Sequence, residues 1–385
     1  MQADVPTTIA LAAGGTGGHL FPAEALAREW LARGGGVVIY TDARGARYEQ
    51  ALSGIEHVVL PARSLAGGLA GKAAAALTIA RASWRARRDM RRRGVALAVG
   101  FGGYPSFAPA LAAKTLGLPL LLHEQATRLS LANRQLLRFA DGVASSFPTL
   151  AGADGFDVAR IAVTGNPVRR AILESRAPYP AFDAASPLHL LVVGGSQSAQ
   201  VFGEIVPPAL FALPETLRRR LRLSLQYKGD DADAISARLR DAGVDADVRP
   251  FFDDMGARLA DAHLVVTRAG ATTIADLLVA GRPAIFVPIP QGGSRAEQRG
   301  NAQALADAGI GWWTPQDDFT VDWLRVRLET LFASPTELPR AAEAARALAQ
   351  PDAAAKLADL VECLLASRGG AVSPQPRVPR PDSRA

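Results

Sequence analysis

Short apolar runs separated by stretches of helical spacing repeat along most of the chain, the pattern of strands buried on both faces and joined by crossover helices. Runs at 8–13, 37–41, 55–60, 96–99, 119–122 and 142–145 predict strands, with helices between them, for example over 22–31 and 107–116. The rhythm resets at Gly165-Asn166-Pro167, and a second series follows at 188–193, 223–227, 248–251, 263–267 and 284–288. Beyond Pro315 the alternation gives way to consecutive helical patterns over 321–332, 338–348 and 353–365. The pattern predicts an α/β chain of two doubly wound, Rossmann-like domains, residues 1–166 and 167–367, facing across a cleft. Residues 368–385 hold four prolines and four arginines, a composition that cannot bury a core, so a disordered tail is expected.

Composition narrows the class. Apolar residues at 49% and charged residues at 21% suit a packed globular chain. The single cysteine, Cys363, excludes an internal disulfide framework and a cysteine-built zinc site, and makes a reducing compartment the expectation. No apolar run reaches the ~18–20 residues that span a bilayer. Met1 to Pro6 offer no basic n-region, so no secretory signal is expected.

The net charge of +6 is concentrated rather than spread. Lys72, Arg81, Arg85, Arg87, Arg88, Arg91, Arg92 and Arg93 face only Asp89 between positions 72 and 93. Such a patch implies an anionic partner surface. On a helix, Leu69, Ala73, Ala76, Leu77, Ala80 and Trp84 share one arc, and Arg81, Arg85, Arg88 and Arg92 form the neighbouring stripe. This suits an interfacial element on anionic lipid; an ordinary helix with its apolar arc on the sheet and a solvated basic face is the other reading. Nucleic acid is a poor partner, because the patch lacks interleaved aromatics.

Three glycine-rich turns follow predicted strands: Gly14-Gly15-Thr16-Gly17-Gly18-His19, the 100–106 segment with Gly102, Gly103 and Tyr104, and Gly194-Gly195-Ser196. Glycine permits tight turns and close backbone approach, and a following helix N-terminus favours negative charge. The first turn does not have the G-x-G-x-x-G spacing of a dinucleotide site, and only Asp42 supplies an acid at the end of the next strand. Ligands in open α/β sheets sit at the carboxyl ends of strands, so turns from both halves lining one cleft suit a reaction between two large phosphorylated substrates.

GGTGGH at 14–19, GFGGYPS at 100–106, HEQ at 123–125, GNPVR at 165–169, VVGGSQ at 192–197, FFDDM at 251–255 and TRAGATTIADL at 267–277 occur in order, followed by Gln298 and Asn301. Together these closely resemble the MurG family of bacterial N-acetylglucosaminyltransferases, over nearly everything except the tail. The resemblance implies a GT-B fold and transfer of GlcNAc from UDP-GlcNAc, with inversion, to the 4-hydroxyl of undecaprenyl-pyrophosphoryl-MurNAc-pentapeptide (lipid I), giving lipid II for peptidoglycan. It implies no cofactor and no metal. The partners it implies are UDP-GlcNAc, lipid I, the anionic phospholipid of the cytoplasmic membrane and other cell-wall synthesis and division proteins. The location it implies is peripheral, on the cytoplasmic face of the inner membrane.

The resemblance also distributes roles. Thr16, Gly17, Gly18 and His19 fall beside the acceptor, where His19 serves either as the base or as a hydrogen-bonding partner of a phosphate or the acceptor. Glu124 is a second candidate base, or an orienting partner for His123. Ser196 and Arg169 match the donor phosphate site, although Arg169 can also be read as a solvated hinge arginine. Phe252 matches the position whose backbone holds uracil, Ala271, Thr272, Thr273, Ile274, Ala275 and Asp276 the stretch that wraps the nucleotide, and Gln298 the sugar-recognising amide.

Three departures stand out: Ala126 where the family has Asn, Asp276 where it has Glu, and a longer loop over 290–296. Thr273 and Asp276 are also spaced as a helix capping pair. Asp231-Ala232-Asp233 and Asp245-Ala246-Asp247 mimic a metal-binding D-x-D but read as a helix start and a turn. Two other functions compete, the second of them motivated by Ala126 and Asp276. One is a different two-domain nucleotide-sugar enzyme, such as a diacylglycerol glycosyltransferase or a UDP-GlcNAc 2-epimerase; the other is a catalytically weakened paralogue acting as a membrane scaffold.

Overall fold

The computed structural model describes residues 7–63, 68–194, 200–290 and 295–368; the expectations for Met1 to Pro6 and for the tail beyond Arg368 lie outside them. The first sheet comprises β1 (Thr8–Ala12), β2 (Gly36–Thr41), β3 (His57–Val59), β4 (Val95–Gly100), β5 (Leu120–Glu124), β6 (Gly142–Ser145) and β7 (Ile161–Val163). The second comprises β8 (Leu188–Val193), β9 (Leu221–Gln226), β10 (Asp245–Arg249), β11 (Leu264–Thr267), β12 (Ala284–Phe286) and β13 (Gly311–Trp313). Their orders are β3-β2-β1-β4-β5-β6-β7 and β10-β9-β8-β11-β12-β13. Neighbouring strands pair in parallel throughout, as crossover helices require. The strand order reverses between β1 and β4 and between β8 and β11, and the turns after these strands carry the glycine motifs.

Each sheet is covered on both faces by apolar side chains, which is why its central strands read as unbroken hydrophobic runs. Ile9, Leu11, Leu97 and Val99 face one side of the first sheet; Ala10, Val38, Ala98 and Leu120 face the other. Leu190, Val192, Leu223 and Val266 oppose Leu191, Val193, Val265 and Phe286 in the second.

The final helix, Ala353–Arg368, follows the second lobe in the chain but lends Leu357, Ala358 and Val361 to the core of the first. Arg33 clamps it there through Asp359 (2.7 Å), Glu362 (3.0 Å) and the Ala355 carbonyl (3.1 Å). The chain therefore crosses between lobes twice, and the crossings touch. Gly165 has φ +82°, and a Cβ there would lie 2.4 Å from Gln350 Oε1.

Several expected boundaries move. The first helix runs Gly17–Ala32, so Pro22 lies inside it and Gly17, Gly18 and His19 form its first turn. The 248–251 strand is replaced by β10 at Asp245–Arg249, which puts Asp245-Ala246-Asp247 on a strand rather than in a turn. This is an edge strand, where alternating charges are tolerated, and Asp247 spends its oxygens on Arg249 and Arg258. Asp231 does stand at a helix start, ahead of Ala232–Asp241, but its side chain makes no capping bond. β7 and β13, three residues each, carry too little pattern to be predicted.

Candidate functional site

The first glycine turn is shaped by an acid. Asp42 Oδ1 accepts from the Gly15 and Gly45 amides (2.8 and 2.9 Å), and Oδ2 from Arg44 Nε (3.0 Å). Burial raises the Asp42 pKa, but these donors outweigh it and hold the carboxylate below its ordinary range. Asp42 thus staples the turn to β2, and its engaged oxygens remove the dinucleotide reading of this acid.

His19 projects from the first helical turn toward the second glycine turn. Gly102 and Gly103 both have positive φ (+83° and +72°), and a Cβ on Gly103 would sit 3.3 Å from the His19 ring. The Ser106 hydroxyl ties this turn to β1, lying 2.8 Å from the Ala12 carbonyl and 2.7 Å from that of Gly102. Tyr104 is half-buried beside it. Gln125 Nε2 lies 3.3 Å from both His19 Nδ1 and the Phe101 carbonyl. Burial depresses the His19 pKa, and the Phe101 carbonyl offsets only part of that, so the ring is neutral at pH 7.

Glu124 has little freedom. Its oxygens accept from the Gln125 and Ala126 amides (3.1 and 3.4 Å), the Ser130 amide (2.8 Å) and Asn133 Nδ2 (2.9 Å). Burial nonetheless lifts its pKa above the usual carboxylate value. The orienting role toward His123 does not hold: His123 Nε2 is directed at the Gly165 carbonyl (3.2 Å), and Glu124 instead organises the 125–133 loop. His123 itself is fully buried, which pushes its pKa down to about 4.

In the second lobe the helix Ala271–Ala280 starts directly after the β11 turn, with Gly270 as its N-cap and no side-chain cap. Thr273 is therefore interior, and the Thr273–Asp276 capping pair is not formed. Asp276 is buried; its Oδ2 meets Arg169 Nη2 at 3.2 Å, while Oδ1 has no partner among the described residues. Burial raises its pKa, against the pull of Arg169. Arg169 is not a solvated hinge residue: its side chain is 24% exposed and its guanidinium stacks 4.2 Å over the Phe21 ring of the first lobe. Arg170, paired with Glu174, takes the solvent instead.

Ile274 packs into the second-lobe core, leaving only its backbone for a ligand, while Ala271, Thr272, Thr273 and Ala275 are half-buried. Thr272 Oγ1 donates across the cleft to the Gly18 carbonyl (3.0 Å). Gln298 Oε1 accepts from the Ile289 amide (3.3 Å), and Asn301 Nδ2 donates to Ala269 (3.1 Å). Phe252 is buried under the Arg258 guanidinium at 3.9 Å. Ser196 and most of the 290–296 loop lie outside the described residues.

The structure thus gathers His19, Gly18 and Thr272 at one junction and Arg169 with Asp276 at another, joined through Phe21. Sequence reasoning missed Gln125, Asn133, Phe21 and Glu297. Gln125 could have been found, since it completes the HEQ motif. Glu297 precedes Gln298, is half-buried, and has its pKa pushed up to about 7 by burial and by the charge of Glu124.

In the basic helix, Leu69–Arg92, burial separates an inner face from an outer one. Ala75, Ala82, Ala86 and Met90 face the core, whereas Ala73, Ala76, Leu77 (52% exposed), Ala80 and Trp84 (62% exposed) face outward; the Leu69 side chain lies outside the described residues. The apolar arc is therefore not the sheet-packing face. Lys72, Arg81, Arg85, Arg88, Arg91 and Arg92 are exposed around it, with Arg88 6.0 Å over the Trp84 ring. Among the described residues no helix is long and apolar enough to cross a membrane.

Comparison with known proteins matches residues 9–145 to the glycosyltransferase family 28 N-terminal domain and residues 189–360 to the family 28 C-terminal domain. A UDP-N-acetylglucosamine--N-acetylmuramyl-(pentapeptide) pyrophosphoryl-undecaprenol N-acetylglucosamine transferase of Rhodospirillum centenum is 48% identical over 92% of this chain and 93% of its own. The crystal structure of Acinetobacter baumannii MurG superposes with a TM-score of 0.71 at 32% identity, over 93% of this chain and 99% of that one. A UDP-N-acetylglucosamine 2-epimerase structure from Listeria monocytogenes, described as putative, shares the fold alone, at 15% identity, a TM-score of 0.67 and 94% and 98% coverage. With identity, coverage and two-lobed GT-B architecture in agreement, the chain belongs to the MurG family of glycosyltransferases.

Proposed function

We propose that the chain transfers GlcNAc from UDP-GlcNAc to the 4-hydroxyl of lipid I, forming lipid II for peptidoglycan, with the donor in the second lobe and the acceptor in the first. The observation that carries the arrangement is the Thr272–Gly18 hydrogen bond, which joins the nucleotide stretch to the acceptor turn across the cleft. In this reading Asp276 Oδ1 accepts from the ribose hydroxyls, the Phe252 backbone holds uracil, and Gln298 Nε2 addresses the sugar. Ser196 and Arg169 meet the departing diphosphate, supported by helix N-termini.

His19 is the base. It is neutral at pH 7, is cradled by two glycines, and is held beside Gln125 and the Phe101 carbonyl, so that its ring is placed to accept the acceptor's proton. Glu124, engaged by four N–H donors, is a loop organiser in this scheme. The exposed Trp84 arc and its arginines rest on anionic phospholipid at the cytoplasmic membrane face, delivering the cleft to its lipid-linked acceptor.

The test is UDP release from purified protein given UDP-GlcNAc or UDP-GalNAc, with and without a short-chain lipid I analogue. Release is expected only with UDP-GlcNAc and acceptor together; turnover independent of acceptor rejects the proposal.

A further inference from the structure

The second turn of the first helix contains Pro22, which has no N–H to donate to the carbonyl four residues back. That carbonyl belongs to Gly18, and the hydroxyl of Thr272 takes the vacant place from the opposite lobe at 3.0 Å. One residue before the proline, Phe21 offers its ring face to Arg169 at 4.2 Å, and Arg169 in turn holds Asp276 at 3.2 Å. Phe21 is itself fixed. The Tyr48 ring packs edge-on at 5.5 Å, and Gly17 leaves room for it, since a Cβ there would lie 2.7 Å from Phe21 Cε2. Gly18 and Phe21, on the first two turns of this helix, therefore contact Thr272 and Arg169 of the second lobe.

We infer that Phe21 and Pro22 are positioning residues for the sugar-nucleotide donor, forming a first-lobe clasp that sets Arg169, Asp276 and Thr272 in the geometry that receives it. The inference rests on the donor-site reading given above. Its physical basis is preorganisation: a guanidinium held over a ring and largely screened from water keeps one orientation. With Oδ2 of Asp276 occupied by Arg169, Oδ1 is the oxygen left for a ligand hydroxyl. Neither Phe21 nor Pro22 needs to touch the substrate.

The experiment is steady-state kinetics on the full chain with UDP-GlcNAc and a lipid I analogue, comparing Phe21→Leu, Phe21→Tyr, Pro22→Ala, Thr272→Val, Asp276→Asn and the Pro22→Ala/Thr272→Val double variant. Phe21→Leu keeps an apolar side chain but loses the ring face, and its KM for UDP-GlcNAc is expected to rise about three- to tenfold with kcat within about twofold. Phe21→Tyr keeps the ring and is expected to restore the wild-type KM. Pro22→Ala returns an amide to Gly18, so it and Thr272→Val each raise KM, and the double variant is no worse than the poorer single one. A wild-type KM in Phe21→Leu alongside a raised KM in Asp276→Asn overturns the clasp but spares the donor site. An unchanged KM in Asp276→Asn overturns both. A loss confined to kcat or to thermal stability, shared equally by the Leu and Tyr variants, marks Phe21 as structural and overturns the clasp.

Discussion

His19 and Glu124 are separated as candidate bases by the donors around them. A carboxylate receiving four N–H bonds is committed to its loop, whereas His19 keeps one ring edge toward the glycine turn. Because burial lowers the His19 pKa, its neutral, proton-accepting form persists below pH 6.5. The rate should therefore rise with pH along a limb centred below 6.5 and be flat above it. His19→Ala should remove that limb and reduce kcat by about 10²–10⁴. An inflection near 7 that vanishes in Glu297→Gln belongs to Glu297 and leaves the His19 limb in place; a pH–rate series on the three proteins distinguishes them. Arg282 illustrates a different use of charge. It is fully buried and donates to the carbonyls of Leu259, Ala260, Ala280 and Gly281, capping two helix ends, and to Pro178. Replacement by Met leaves those carbonyls unpaired in the interior. A loss of about 3 kcal/mol or more is expected in urea unfolding, with Arg282→Lys recovering part of it.

Elements differ in how openly the chain announces them. The central strands were legible because both faces are buried, as in β5, where every residue from Leu120 to Glu124 is inaccessible. The first helix was misplaced because Pro22 resembles a helix start. Its missing N–H leaves the Gly18 carbonyl to Thr272, some 250 residues away, and no local pattern encodes that. The same distance hid Phe21 and Glu297, whose importance comes from what the opposite lobe places against them. Asp276 and Arg169 were each legible as motif members, but their pairing was not. The basic helix shows the reverse: its charge was evident, and only burial told which face is free. Each exposed arginine near an anionic bilayer contributes ~1 kcal/mol. An Arg81→Gln/Arg85→Gln/Arg88→Gln variant should therefore bind phosphatidylglycerol vesicles about a hundredfold more weakly. Its turnover of a soluble acceptor analogue should stay unchanged. Equal co-sedimentation of variant and wild type would remove the membrane role of this helix.

At the scale of the whole molecule, the two lobes are not independent beads on a hinge. The crossings at Gly165 and Gln350 touch, and the second returns the Ala353–Arg368 helix to the first lobe, where Leu357, Ala358 and Val361 complete the face formed by Ile9, Leu11, Leu97 and Val99. The last segment of the chain thus completes the core of the first lobe and contributes to its stability. The contribution bears on function, because β1 and β4 end in the two glycine turns that hold His19. Leu357→Ala removes a fully buried side chain and should cost about 2–5 kcal/mol. Amide exchange locates the loss. Protection should fall in β1 and β4 of the first lobe, some 250 residues or more away in sequence, while β8 and β11 stay protected. If exchange instead accelerates in the second sheet alone, the helix stabilises the lobe it follows rather than the one it touches. Protection lost evenly in both sheets would mean that the lobes unfold as one unit, and the closing helix is then a strap for the whole enzyme rather than a part of the acceptor lobe.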